Sequence, residues 1–262
     1  MPNDQSPPKE SMKQIEAVDK ALQVLECFLG GEKALSLKQL SEMTGLYKSR
    51  ILRVCGTLIS HGFLIRQQGS FYNLGPKLMM LGKAYEKSNT LVSLARSVLR
   101  ELASLTGEST SLFVIEGTKR LCLAREEGSA AIRYSIREGQ VLELYAGAGG
   151  KALLAYAPQE LRDRILGSDA IKPLTSFTIV DRERLEMEFK AIRKQGYSVS
   201  RGERVSEAAA LAAPVYDHMD EVCAVITVAG PIQRFSEKHS EGIKRHLLDS
   251  ARKLSALLGH SG

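Results

Sequence analysis

Two stretches of this 262-residue chain carry residue types at spacings that do chemistry. The first runs from Ser36 to Leu74. Between Met43 and Tyr85 there is no Asp or Glu, yet Lys48, Arg50, Arg53, Arg66, Lys77 and Lys83 fall there. A basic, acid-free segment suits a polyanion, because each phosphate neutralised releases condensed counterion. Ser49, Arg53 and Gly56 recur on one side of a predicted helix, flanked by Arg50 and Thr57, while Ile51, Val54 and Leu58 recur on the other. The competing reading is a helical hairpin packed on a ribbon, with a solvated basic face.

The second stretch is Gly147 to Lys151. A Walker-type phosphate loop fails here, because Tyr145 stands where its first Gly belongs and Ala152 where its Ser/Thr would hold magnesium. Gly147, Gly149 and Ala152 meet a dinucleotide pattern but lack the surrounding parallel βαβ unit. Two readings remain open. One is a helix N-terminus beginning near Lys151, whose bare N–H groups hold a small anion such as a carboxylate. The other is a turn that lets a helix pack closely. No catalytic set emerges around Ser176, Ser198, Ser200 or Ser206. Cys27, Cys55, Cys122 and Cys223 lie far apart in apolar runs without a Cys-x-x-Cys, which points to reduced small hydrophobes rather than zinc ligands. No cofactor is expected. The five histidines form no His-x-x-x-His pair and are read as solvated surface.

The elements that must position these residues follow from periodicity. Ile15 to Phe28 reads as an amphipathic helix with Val18, Leu22 and Leu25 on one stripe. Ser36-Leu37-Lys38-Gln39 is a capping box opening a second helix, and Thr44-Gly45-Leu46 is a tight turn. A third helix runs from about Tyr47 to Ser60. Phe63 to Arg66, Gln68-Gly69-Ser70 and Phe71 to Leu74 then read as a hairpin. Helix, turn, helix, hairpin is a winged helix-turn-helix.

Leu78 to Leu105 reads as a mostly helical connector stopped by Thr106-Gly107. Beyond it, strands are expected at Ser111–Ile115, Arg120–Ala124, Ala131–Ser135, Ala208–Tyr216 and Val222–Ala229. Helices are expected at Pro158–Leu166, Asp181–Gln195 and Ser236–Leu258. The fold class is α+β with an antiparallel sheet in the second part. The expected domains are a disordered tail at 1–13, a winged helix-turn-helix domain at 14–77, a helical linker at 78–106 and a sheet domain at 107–262.

Hydrophobic content of 44% and charged content of 25% are ordinary for a soluble globular chain, and the net charge of +6 favours an acidic partner. Residues up to Glu86 carry eleven Lys or Arg against eight Asp or Glu. No apolar run approaches the roughly 18 residues of a membrane span. The polar, Pro-rich Met1–Glu10 resembles neither a signal peptide nor an anchor. A cytoplasmic protein is expected.

Several short segments complete the picture in order: Ala17 to Leu22, Gly45 to Ser49, Tyr72 to Gly75, Gly150 to Ala155, Gly196-Tyr197, Ala212 to Val215 and Gly230-Pro231. Together they resemble the IclR family of bacterial transcription regulators, from about Ile15 to Gly259. That resemblance implies an N-terminal winged helix-turn-helix, a linker helix and a C-terminal GAF-like effector-binding domain. It implies double-stranded operator DNA and a small organic acid as partners, with homodimers paired into tetramers and no membrane association. The DNA-contacting set is then Lys48, Ser49, Arg50, Arg53, Thr57 and Arg66. The effector pocket implied by the family is lined by Tyr134, Leu142, Ala148, Gly149, Ser200, Ala210, Thr227 and Ala229. Members that bind small oxo-acids present an acid, a Cys and two hydroxyls at the last four of these positions. Ser200, Ala210, Thr227 and Ala229 suit a larger or more apolar acid instead. Arg50 stands where the family commonly has Thr, and is placed to meet a guanine edge or a phosphate. The alternatives from other classes are a small-molecule-binding enzyme with an accessory nucleic-acid module, and a redox sensor acting through Cys55 or Cys223.

Overall fold

The structure, a computed structural model, describes residues 15–67, 70–130, 136–167 and 171–261. The chain divides into two compact units, Met1–Ser88 and Asn89–Gly262. The tail at 1–13 and the expected strand at Ala131–Ser135 lie outside the described residues.

In the first unit, helix α1 spans Glu16–Glu26 and passes into a 3-10 turn at Cys27–Gly30, two residues before the expected end. Its apolar stripe is rotated from the expected one. Val24 is buried, whereas Val18 and Leu22 are each 53% exposed. Strand β1 (Leu35–Ser36) leads into α2 (Leu37–Thr44), and the capping box between Ser36 and Gln39 is complete. Gly45 ends α2 at φ +70°, a left-handed conformation that a side chain disfavours, and so makes the sharp turn into α3 (Lys48–Ser60). Ile51, Cys55 and Leu58 bury the inner face of α3. Strands β2 (Leu64–Arg66) and β3 (Phe71–Leu74) form the wing, with β1 adding an unanticipated third strand in the order β1-β3-β2. Val24, Leu35, Leu40, Ile51, Cys55, Leu64 and Tyr72 close one small core. Helix α4 (Pro76–Ser88) completes the unit.

The expected single connector is two helices. Asn89 leaves helical geometry and its side chain accepts the Val92 N–H, starting α5 (Thr90–Thr106) afresh. The apolar periodicity carries across this break, which is why the sequence hides it.

In the second unit, six antiparallel strands run in the order β6-β5-β4-β9-β8-β7: β4 (Ser109–Glu116), β5 (Lys119–Glu126), β6 (Val141–Glu143), β7 (Ser198–Arg201), β8 (Ala208–Tyr216) and β9 (Val222–Pro231). Strands β6 and β7 were not anticipated. In β7 the inward positions are Ser198 and Ser200, so polar residues occupy the buried face and the apolar alternation is lost. One face of the sheet packs on α5 and α9 (Glu237–Leu257) through Val98, Leu99, Leu102, Leu112, Ile226, Leu247 and Leu254. Each such Val or Leu stabilises by about 1.5–3 kcal/mol on burial. The other face carries α6 (Ala148–Tyr156), α7 (Gln159–Leu166) and α8 (Arg182–Gln195), with Phe113, Leu154, Phe189 and Val225 between. Helix α6 begins at Ala148, three residues before the expected start at Lys151.

Candidate functional sites: a basic helix face and a small cavity

On the first unit, Lys48, Ser49, Arg50, Arg53 and Thr57 all lie exposed on α3, and Arg66 is exposed on the wing. Inward packing of Ile51, Cys55 and Leu58 dictates this, since residues three and four apart share a helix face. Lys48 and Arg53 make no ion pair among the described residues. Arg50 Nη1 meets Glu16 Oε1 of α1 at 2.8 Å, an exposed pair. Arg66 Nη2 donates to Ser70 Oγ at 3.2 Å, and the wing tip at Gln68-Gly69 lies outside the described residues. Tyr47, the residue that caps α3 at its N-terminus, is 85% exposed and was not anticipated. It precedes Lys48 at the start of the same exposed basic helix.

The second unit holds a cavity of about 40 Å³ between the sheet and the first turn of α6. Its floor is one row of the sheet. Ser200 pairs with Ala210 and Ala210 with Ala229, and Thr227 stands one row further along. Its roof is Gly147, Ala148 and Gly149. Gly149 must be glycine for the roof to come this low. A Cβ there would lie 2.6 Å from Arg120 Nη1 and 2.9 Å from Thr227 Cγ2. The N–H groups of Ala148, Gly149 and Gly150 belong to the first helical turn and have no intrahelical acceptor.

Charge is organised around this turn. The Gly147 N–H donates to Glu203 Oε2 at 3.0 Å, and Lys151 Nζ donates to Glu203 Oε1 at 2.6 Å and Glu188 Oε2 at 2.8 Å. Lys151, considered above as part of a phosphate loop, is therefore a buried structural cation. Arg120, 3% exposed, projects from β5 over the Phe113 ring, its guanidinium carbon 4.8 Å from the centroid. Arg204 Nη1 donates to Glu143 Oε2 at 3.1 Å, and Lys119 lies 3.5 Å from the same carboxylate. Burial alone would raise the Glu143 carboxyl, but a backbone hydrogen bond, Arg204 and Lys119 together hold it below its ordinary value.

Ala148, Gly149, Ser200, Ala210, Thr227 and Ala229 thus come together as expected from the resemblance. Leu142 does not line the cavity. It is buried beside Arg120, its partner across β5 and β6. Tyr134 lies outside the described residues. Phe113, Arg120, Ile136, Arg204 and Val205 also line the cavity and were missed. For Arg120 a signal existed: a charged residue opening an apolar strand, Arg120 to Ala124, is either a strand end or a functional group. Arg204 sits in a polar turn and gave none.

The thiols are poorly suited to sensing. Burial pushes Cys55 and Cys223 up to about 11 and Cys122 up to about 12, so almost no reactive thiolate forms near neutral pH. Among the described residues no cluster of three His, Cys, Asp or Glu side chains stands ready for a metal. No described helix is long and apolar enough to cross a membrane.

Residues 17–68 match the IclR helix-turn-helix domain, and residues 83–256 match the bacterial transcriptional regulator IclR C-terminal domain. The chain belongs to the IclR family. The HTH-type transcriptional regulator BhcR of Paracoccus denitrificans is 31% identical over 243 residues, covering 92% of this chain and 86% of that protein. KipR of Bacillus subtilis is 29% identical over 93% of this chain and 97% of its own length. Among solved structures, the IclR transcriptional regulator from Alicyclobacillus acidocaldarius superposes with a TM-score of 0.86 at 27% identity, covering 94% of this chain and all of that one. As an IclR-family member the protein is a transcription regulator with a DNA-binding helix-turn-helix and a C-terminal effector-binding domain.

Proposed function

We propose that this regulator binds its operator as a homodimer, paired into tetramers, and that a small carboxylate in the cavity controls that binding in the cytoplasm. The carboxylate head lies toward Gly149 at the first turn of α6, and the apolar tail toward Ala210 and Ala229. The observation that carries this is the pairing of bare helical N–H groups with a floor of Ser200, Ala210 and Ala229 across one cavity. As it stands the cavity admits a small head group. A longer tail displaces the turn around Val205, which is 39% exposed.

On the first unit, α3 enters the major groove with Lys48, Ser49, Arg50, Arg53 and Thr57 facing the duplex, and Arg66 follows the backbone alongside. Exposed Val18 and Leu22 support pairing of two copies. The cavity walls carry hydroxyls and guanidiniums but, among the described residues, no carboxylate, imidazole or thiol. That favours binding over an enzyme reading, since proton transfer there has no side-chain base. A mobility-shift titration on the chain's own upstream DNA, with and without a panel of aliphatic and aromatic monocarboxylates, tests the proposal. An operator complex that forms and stays unchanged with every acid sinks the effector half. Failure to shift any upstream fragment sinks the whole.

A further inference from the structure

Tyr47 stands where the start of a helix favours a different residue. It is the N-cap of α3, extended at φ −63° and ψ 142°, and its carbonyl accepts the Arg50 and Ile51 N–H groups at 2.9 and 3.1 Å. A Ser, Thr, Asp or Asn in this position also accepts a first-turn N–H through its side chain. Ser36 and Asn89 do this for α2 and α5. Tyr47 makes no such bond, and its side chain has no hydrogen bond or ring contact among the described residues. At 85% it is the most exposed of the large apolar side chains described. Nothing in the fold of the first unit asks for an aromatic ring here. A local rule broken without structural gain marks a place where function sets the residue.

The surroundings point to one occupant. Lys48, Ser49 and Arg50 follow directly and are exposed with Tyr47, Arg53 lies on the next turn, and no Asp or Glu occurs from Met43 to Tyr85. A second copy of this chain would bring the same cations against these, whereas a duplex brings phosphates. On a helix docked in the major groove, the N-terminal residues are those that reach base edges. The cations among them serve phosphates or guanine. A phenol ring offers an apolar face instead, and the apolar group that the major groove displays is the C5-methyl of thymine.

We propose that Tyr47 reads thymine: its ring packs against a thymine C5-methyl in the major groove of the operator and sets the base at that position. This rests on α3 being the helix that enters the groove. Removing that one methyl weakens binding about fourfold, equal to about 0.8 kcal/mol, and removing the ring weakens it about tenfold.

The test uses the full chain and a pool of random-sequence duplexes, so the natural operator need not be known. Sites selected by the parent and by Tyr47→Ala are compared, and the best parent site is rebuilt with uracil in place of each thymine in turn. The parent is expected to select a thymine that Tyr47→Ala does not, and to lose about fourfold when that thymine becomes uracil. Tyr47→Ala is expected to bind the two duplexes equally. Tyr47→Phe, which keeps the ring without the hydroxyl, is expected to behave as the parent. The proposal is overturned by identical thymines in both selections, or by a parent indifferent to uracil at every position. A Phe variant as weak as the Ala variant also overturns it, by making the hydroxyl the contact. Tyr47→Ser separates function from fold. It supplies a capping hydroxyl and is expected to melt at or above the parent while losing the thymine. A Ser variant that melts below the parent shows that the ring serves the fold, and overturns the proposal too. Failure here is separable from failure of the docking. Lys48→Ala and Arg53→Ala proteins that lose affinity while Tyr47→Ala matches the parent remove only the role of Tyr47. Lys48→Ala and Arg53→Ala proteins that bind as the parent does, or a parent that enriches no sequence, remove the docking itself.

Discussion

Lys151 Nζ stands 2.6 Å from Glu203 Oε1, with both side chains almost wholly buried, and the other Glu203 oxygen accepts the Gly147 N–H. The Glu203 carbonyl in turn accepts the Thr178 hydroxyl at 2.6 Å. One carboxylate thus ties the first turn of α6 to the turn between β7 and β8, and its backbone ties that turn to the segment before α8. Roof and side wall of the cavity are one assembly, so a ligand that moves either loads both.

Removing one partner of this pair leaves the other charged in a dry place, which costs about 3–5 kcal/mol. Lys151→Met is expected to lower the thermal midpoint of the second unit by roughly 6–20 °C, on the usual scaling for units of this size. Glu203→Gln keeps an acceptor for Gly147 and should cost clearly less. A Lys151→Met protein melting with the parent would show that the pair contributes no net stability.

On the first unit, the Arg50–Glu16 pair changes what substitution should do. An exposed pair is worth only about 0–1 kcal/mol, so Arg50 is easily recruited by DNA. Glu16→Gln releases Arg50 and removes a negative charge from the DNA side, and should tighten operator binding. Arg53→Ala should weaken binding to any duplex and flatten the salt slope by about one unit. Fluorescence anisotropy across a salt series reads both, and an unchanged slope in Arg53→Ala would remove that residue from the phosphate contacts.

How much of this was legible beforehand varied with the physics of each element. The capping box at Ser36, the turn at Gly45 and the buried face of α3 are local, and local chemistry is written in adjacent residues. The break at Asn89 was hidden because a cap of one residue interrupts an apolar period that continues on both sides. Strand β7 was hidden because its buried positions, Ser198 and Ser200, are serines and break the apolar alternation. The floor of Ser200, Ala210, Thr227 and Ala229 came from the ordered resemblance, since no periodicity announces a cavity. Arg120 and Arg204 were missed because their roles depend on which strand and turn face the first turn of α6, a relation that only the folded sheet creates.

The wing makes a different prediction. Arg66 reaches Ser70 across the hairpin and is otherwise presented to solvent. On the proposed docking, a side chain there would meet backbone rather than base edges, and backbone contacts position without specifying. Arg66→Ala should lower operator affinity while leaving sequence preference unchanged. A footprint that moves to another site in this variant would contradict the assignment.

Acid should loosen the side wall before it unfolds the rest. The Glu143 carboxyl is held below its ordinary value near 4.5 by its partners, so its contribution is complete above that pH and is lost as the pH falls through the lowered folded value. Glu143→Gln should lower stability at neutral pH by that contribution and, having nothing left to lose, remove this part of the acid sensitivity. Denaturation midpoints between neutral pH and about pH 3 measure it. Parallel pH profiles for parent and variant would show that the Arg204–Glu143 contact does not report on acid.

The floor of the cavity offers the clearest control over ligand size. Ala210 lies midway along the row from Ser200 to Ala229, one row along the strands from Thr227, the floor residue that meets Gly149. Ala210→Leu adds three heavy atoms to this space and fills the part assigned to the tail. Overpacking carries a cost of about 1–3 kcal/mol, which a domain of this size tolerates. The head end keeps its geometry, since Gly149, Arg120 and Thr227 are untouched. Acetate should therefore bind the variant as it binds the parent, whereas benzoate should lose about tenfold or more, the scale on which a pocket discriminates a missing or added carbon. Operator affinity without ligand should be unchanged, because the helix-turn-helix belongs to the other unit. Calorimetry with the two acids decides it. An equal loss for both would place the ligand elsewhere than along this row, and no loss for either would show that Ala210 faces no ligand.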